Sequence, residues 1–213
     1  MIPWRIKNFV SDHFPLFYHK LVNIGVGVND DRYWDAIYEK EWDSPKRAWP
    51  TKNRLIAALT DPGDHILDIA CGTGSILRYL KDQGYENLHG TEISNLCIER
   101  LRALGIEMFS TVLPRIACGD HLYDAVIASQ ILEHVIQRRR FLTEIRRVLK
   151  PGGLAFIFVP DNCLGPIDEP SHVVKFTKES LSREIGQVFD RFEVVSMKDE
   201  NFSMPILFAT IRA

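Results

Sequence analysis

The sequence predicts an α/β fold: a Rossmann-like, doubly wound, mostly parallel sheet preceded by an aromatic helical extension. Three observations predict it. From residue 66 onward, short apolar runs alternate with amphipathic ones, the pattern of strands joined by crossover helices. At 66–75 the run Ile-Leu-Asp-Ile-Ala-Cys-Gly-Thr-Gly-Ser breaks at a tight glycine turn, and a second apolar run ends in Glu92, eighteen positions beyond Gly74. That describes a cofactor-binding β-α-β unit. The last two apolar runs are separated only by the short polar stretch 199–203, too short for a crossover helix, so they should pair antiparallel.

Taken in order, strands are expected at 65–70, 87–92, 106–109, 123–128, 154–159, 192–198 and 206–212. Helical patterns fill 75–83, 95–104, 138–149 and 178–188, closed by stop or turn signals such as Gly84, Gly105 and Pro151-Gly152-Gly153. The helix at 138–149 has a buried stripe of Phe141, Leu142, Ile145, Val148 and Leu149. Its cluster of Arg138, Arg139, Arg140, Arg146 and Arg147, with Lys150, reads as a solvated face.

The first 50 residues read as a separate extension, with the sheet domain spanning 51–213. All four tryptophans (Trp4, Trp34, Trp42, Trp49) lie there with Phe9, Phe14, Phe17, Tyr18, Tyr33 and Tyr38, so the segment must cover something apolar. Three roles follow: helices packed on the sheet domain, a lid that lines a substrate pocket, or a membrane-surface segment around residues 1–21 with Arg5, Lys7 and Lys20. Pro15 and a ragged periodicity make the third the least favoured.

The chain of 213 residues is long enough for one well-buried domain with an appendage, and its formal charge of −2 gives no global attraction to nucleic acid or anionic membrane. Cys71, Cys97, Cys118 and Cys163 lie far apart, and no signal peptide or spanning apolar run appears, so a soluble, reduced, cytoplasmic protein is expected. No repeat or low-complexity tract is visible.

A dinucleotide site needs G-x-G-x-x-G, whose third glycine lets helix and strand pack closely. Gly72 and Gly74 supply the first two, but Leu77 stands where the third belongs. Glu92, after the second strand, offers two acceptor oxygens on a short stem, which suits a pair of ribose hydroxyls. Any adenosine-containing ligand fits that much.

Four stretches carry more: ILDIACGTGS at 66–75, LHGTEIS at 88–94, YDAVIASQILEHV at 123–135 and RVLKPGGLAFI at 147–157. In order and spacing they resemble the motifs of class I S-adenosylmethionine-dependent methyltransferases, of the ubiquinone type and of methyltransferase types 11 and 23. The resemblance covers residue 55 to the C-terminus. It implies a seven-stranded sheet of order 3-2-1-4-5-7-6 with strand 7 antiparallel, and S-adenosylmethionine as cofactor, leaving S-adenosylhomocysteine as product. By position it implies that Asp68, Ala70, Gly72 and Gly74 surround the methionine end, that Glu92 holds the ribose and that Ile93 packs on the adenine. Ser129 and Gln130 should face the methionine and the methyl group. The helix starting near Ser75 presents unpaired N–H groups suited to a carboxylate. One departure stands out: the family's usual acid for the adenine amino group is missing from Met-Phe-Ser-Thr-Val-Leu-Pro at 108–114, so Ser110, Thr111 or a backbone carbonyl must serve.

Methyl transfer from a sulfonium needs mainly in-line alignment, and a base only where the acceptor is protonated. Glu133, His134 and His172 are the candidates for that base, His172 lying in Asp168-Glu169-Pro170-Ser171-His172 after the fifth strand. Gln130-x-x-Glu133-His134 with His172 resembles a degraded form of the E-x-x-E-H metal site of small-RNA 2'-O-methyltransferases. Gln130 replaces one carboxylate, so no metal is expected. The expected acceptor is a small molecule methylated on oxygen or nitrogen, with nucleic acid and membrane not expected as partners. The alternatives are a non-catalytic cofactor-binding protein, or a methyltransferase acting on RNA or a lipid-like quinone precursor. A nicotinamide-dependent oxidoreductase is disfavoured by Leu77. The acceptor's identity and the oligomeric state are not legible.

Overall fold

The computed structural model describes residues 9–10, 13–22, 29–162 and 171–213. Trp4, Arg5, Lys7, Cys163 and Asp168-Glu169-Pro170 lie outside the described residues. In chain order the elements are α1 (Pro15–Val22), α2 (Asp31–Glu41), a 3-10 turn (Pro45–Arg47), α3 (Pro50–Leu59), β1 (Ile66–Ile69), α4 (Ser75–Asp82), β2 (Leu88–Glu92), α5 (Asn95–Ala103), β3 (Glu107–Ser110), β4 (Tyr123–Ser129), a second 3-10 turn (Leu132–His134), α6 (Arg138–Val148), β5 (Leu149–Pro160), α7 (Lys178–Ile185), β6 (Arg191–Met197) and β7 (Ile206–Arg212). The sheet runs β3-β2-β1-β4-β5-β7-β6. Pairs from β3 through β5 are parallel, whereas β7 is antiparallel to both β5 and β6. The fold class and strand order expected above are those observed.

Both faces of the sheet are covered, which is why its central strands read as continuous apolar runs. On one face Leu67, Ile69, Val126 and Ile157 pack with Phe141, Leu142 and Ile145 of α6 and with Leu181 and Ile185 of α7. On the other, Ile66, Ile127, Phe156 and Phe158 meet Ile56 of α3, Leu77 and Leu80 of α4, and Leu101 of α5. Leu77 packs where a dinucleotide fold would bring helix and strand together. Gly90 of β2 makes the room: a Cβ there would fall 3.0 Å from a Leu77 methyl and 2.6 Å from the sulfur of Met108.

Two element boundaries differ from the sequence expectation by more than one residue. The Pro151-Gly152-Gly153 segment is part of β5, which begins at Leu149 with a register shift against β4 between Tyr123 and Ala125. Gly152, at φ +80°, supplies the bend, and the chain end ties it down: Gly152 N–H donates to the Ala213 carbonyl and Ala213 N–H to that of Gly153, each at 3.0 Å. Helix α7 stops at Ile185 rather than continuing to 188, capped by Gly186, although a Thr177–Ser180 capping box fixes its start as the sequence suggests. Among the described residues no helix is long and apolar enough to cross a membrane.

Candidate active site at the carboxyl edge of the sheet

The site forms where β1, β2 and β4 end, the usual position for ligands in open α/β sheets. After β1 the chain turns through three left-handed residues, Ala70 (φ +52°), Gly72 (φ +55°) and Gly74 (φ +69°). Gly72 is needed for more than its φ: a Cβ there would lie 2.9 Å from the Tyr38 hydroxyl. At Gly74 a Cβ would meet Leu101 at 2.5 Å, so this glycine lets α4 approach α5 and does not itself line a cavity.

Glu92 holds the turn together. Its Oε2 accepts the Gly72 N–H at 2.8 Å, while Oε1 accepts the N–H groups of Ile93 (2.7 Å) and Ser94 (3.1 Å). The side chain is 2% exposed, and burial pushes its carboxyl up against those three stabilising N–H bonds. Oε2 keeps lone-pair capacity for one more donor.

Two cavities open along this edge and share Trp34, Ala70 and His134 as walls. The smaller, about 280 Å³, is bounded by Glu92, Ile93, Thr111, Leu113, Ile131 and Val135 among others. Of the two hydroxyls proposed for the adenine side, Thr111 lines this cavity and Ser110, exposed at the end of β3, does not. Thr111 already donates to the Arg115 carbonyl at 2.8 Å.

The larger cavity, about 550 Å³, brings together Asp68, Gly72, Ser129, Gln130, Glu133, His134 and His172. Several of its polar atoms are buried without a partner among the described residues: Asp68 Oδ1, Gln130 Nε2 and both oxygens of Glu133. Burial pushes the Glu133 carboxyl up to about 8, and burial with the nearby His134 and Lys175 brings His172 down to about 3. His172 is therefore a neutral imidazole through the physiological range. His134 stands between the rings of Trp34 and His172, edge-on to each at centroid distances of 5.6 and 4.8 Å. Its Nδ1 lies 2.9 Å from the Ser171 carbonyl, which can only accept, so Nδ1 carries the proton. Glu133, His134 and His172 also offer three ligand atoms within 4.8 Å of one another, the group among the described residues able to hold a metal ion. Around a bound transition ion such atoms sit about 3.5 Å apart, so coordination would need a small inward movement of the ligands.

Sequence reasoning missed Lys52. Carried on α3 and 2% exposed, it donates from Nζ to Ser129 Oγ at 2.5 Å and lies 3.9 Å over the Trp49 ring. Its backbone N–H donates to Asp199 Oδ2 at 2.9 Å. Burial lowers the Lys52 ammonium and raises the Asp68 carboxyl, each opposing the shift of the other through their mutual attraction. Lys52 is thus the counter-charge for the buried acids Asp68 and Glu133. Nothing distinguishes it in the sequence from a surface lysine, because Pro-Thr-Lys-Asn-Arg opens a helix whose orientation only the tertiary fold sets.

Asp35 on α2 was missed as well, whereas Trp34 and Tyr38 of the same helix belong to the aromatic segment for which a pocket-lining lid was one expected role. Asp35 accepts from Ser94 Oγ at 2.5 Å and from Leu96 N–H at 3.3 Å, pinning α2 to the start of α5. Asn29 donates to the Ser171 carbonyl at 2.9 Å, tying the same region to the loop that carries His172. By contrast, Arg139 and Arg140 lie outside both cavities, exposed and without an acidic partner among the described residues, whereas Arg138 reaches Glu184 at 3.5 Å and Arg147 pairs with Glu144 and Asp120.

Known proteins share this arrangement. Residues 67–157 match the profile of a methyltransferase domain family. The chain is 28% identical over 137 residues to the mouse (Mus musculus) protein named "Probable tRNA methyltransferase 9B", covering 61% of this chain and 30% of that one. It is 32% identical over 106 residues to a ubiquinone biosynthesis O-methyltransferase of Cereibacter sphaeroides, covering 47% and 42% respectively. The chain thus spans less than half the length of these curated relatives. Among solved structures, a methyltransferase from Thermotoga maritima superimposes with a TM-score of 0.66 at 18% identity, over 83% of this chain and 95% of that one, and shares the fold. The strand order, the glycine turn and the matched profile make residues 67–157 a methyltransferase domain, built on the fold of solved S-adenosylmethionine-dependent methyltransferases.

Proposed function

We propose that this chain transfers the methyl group of S-adenosylmethionine to an oxygen or nitrogen atom of a small-molecule acceptor. One observation carries the reading: two cavities joined at Ala70, Trp34 and His134, one beside Glu92 and the other holding buried, unpartnered carboxylates. An adenosine fits the smaller, with Glu92 Oε2 taking a ribose hydroxyl and Ile93 against the base. Thr111, rather than Ser110, is then the side chain nearest the adenine edge. The methionine end passes Ala70 and Gly72 into the larger cavity, toward Asp68, Ser129 and Gln130.

Bound there, the cofactor supplies an activated methyl and a neutral thioether leaving group. The chain's own task is alignment, exclusion of water and removal of one proton. An acceptor O–H or N–H that takes up the methyl group would lose a proton, which needs a neutral or anionic group nearby. Glu133 serves in its carboxylate form, populated as pH rises toward 8, and is then the stronger base; His172, uncharged but depressed to about 3, is the weaker one, with His134 edge-on beside it. Of the extension, α2 is the part that closes this site, with Trp34 and Tyr38 as its inner wall.

A second reading has its own support: the acceptor is RNA. The mouse relative's name points that way, and the exposed Arg139 and Arg140 border the mouth at Ile136 and Gln137. Incubation with methyl-labelled S-adenosylmethionine and, separately, phenols, amines and transfer RNA separates the two. Label in the small molecules supports the first reading; label confined to RNA replaces it.

A further inference from the structure

We propose that α1 and the turn before it dock on the surface of an anionic phospholipid membrane, with Phe9, Phe14, Phe17 and Leu16 entering the headgroup boundary. Phe9, Phe14 and Phe17 are 56%, 57% and 63% exposed, and they are the exposed phenylalanines of the described chain. Leu16 joins them. Neither of the two hydrophobic clusters that build the domain includes a residue of this segment. Phe9, Phe14 and Phe17 therefore stand outside the core of the described residues.

Two i→i−4 bonds of helical type order the described part, Phe14 N–H to the Val10 carbonyl at 2.8 Å and Tyr18 N–H to the Phe14 carbonyl at 3.0 Å. Phe9, His13, Leu16, Phe17 and Lys20 follow the i, i+4, i+7, i+8, i+11 spacing of one helical face. That face joins aromatic rings to one cation: His13 stacks on Phe9 at 4.2 Å, and Lys20 is exposed. Pro15, which argues against a helix in the sequence alone, sits at the first position of α1, where a missing N–H costs nothing.

Charge selects the occupant. Residues 1–22 contain Arg5, Lys7 and Lys20 against Asp12 alone, a net of +2 in a chain whose total is −2. Two copies of such a face would repel each other, whereas anionic headgroups attract it. At 1.5 Å per residue the 8 residues of α1 reach about 12 Å, short of the roughly 30 Å hydrocarbon core, so α1 lies on the membrane and does not span it.

Sedimentation of the chain with phosphatidylcholine vesicles, with and without phosphatidylglycerol, tests the proposal. Binding is expected to the anionic vesicles, weakened about tenfold or more by combined Phe9→Ser, Phe14→Ser and Phe17→Ser. Lys20→Glu should weaken it roughly fivefold. Because α1 is outside the core, both variants should keep the parent's melting temperature and affinity for S-adenosylhomocysteine, which checks that they fold. The proposal is overturned if the parent does not sediment with anionic vesicles, if the serine variant sediments equally well, or if the parent forms a vesicle-free dimer that the serine substitutions abolish.

Discussion

At the residue scale the site is governed by a few buried charges whose partners are fixed by the backbone. Glu92 satisfies three N–H groups, and leaving a buried donor unpaired costs about 1–3 kcal/mol. Glu92→Ala should therefore lower the melting temperature by several degrees as well as weaken cofactor binding. Glu133 makes a different prediction. Its carboxyl is raised to about 8 in the folded chain, so the folded state holds a proton that the unfolded state releases above the ordinary carboxylate range. Stability from this group is present at acid pH and is lost as pH rises toward 8. Glu133→Gln removes the dependence, so the variant's melting temperature should gain on the parent's as pH is raised; a constant gap would refute the burial argument. For His172 the sign reverses. With its imidazole depressed to about 3, the unfolded chain takes up the proton first, so stability is lost as pH falls below about 6.5, and His172→Gln should resist that loss in acid melts.

At the element scale, α2 is the piece that turns an open sheet edge into two walled cavities. Asp35 alone accepts from Ser94 Oγ and Leu96 N–H, so Asp35→Ala should detach α2 from α5 at a cost of about 1–3 kcal/mol. Limited proteolysis should then cut the region before Pro50 faster, while S-adenosylhomocysteine slows the cutting; an unchanged rate would show that Asp35 does not hold the helix. What the sequence discloses follows from where each element gets its instructions. The strands and helices from β1 onward carry their own periodicity and stop signals, and the glycine turn must be left-handed whatever surrounds it, so they are legible. The order of the sheet comes from the family resemblance, and only the closing hairpin from loop length. The start of β5 at Leu149 was hidden because Pro-Gly-Gly reads as a turn until Ala213 arrives to bond it. Lys52 and Asp35 were hidden for the same kind of reason: each acts across 50 residues or more of sequence, through partners such as Ser129 and Ser94.

At the scale of the whole molecule, helices cover both faces of the sheet, and the proposed cofactor and acceptor meet at its carboxyl edge. The exposed Phe9, Phe14 and Phe17 lie apart from that edge in the sequence. Metal enters this picture only through Glu133, His134 and His172. With Gln130 in place of a fourth anionic ligand, exhaustive dialysis against a chelator should leave methyl transfer unchanged. A loss restored by one divalent ion would assign these three residues as its ligands. The central claim is that the turn at 70–74, clamped by Glu92, is a binding site for S-adenosylmethionine. Equilibrium binding of methyl-labelled S-adenosylmethionine to the parent and to Glu92→Ala tests it most directly. One site per chain is expected, with an affinity at least about tenfold weaker in the variant, the loss of roughly one charge-assisted hydrogen bond. Undiminished binding by a folded Glu92→Ala protein, or no binding by the parent, would contradict it.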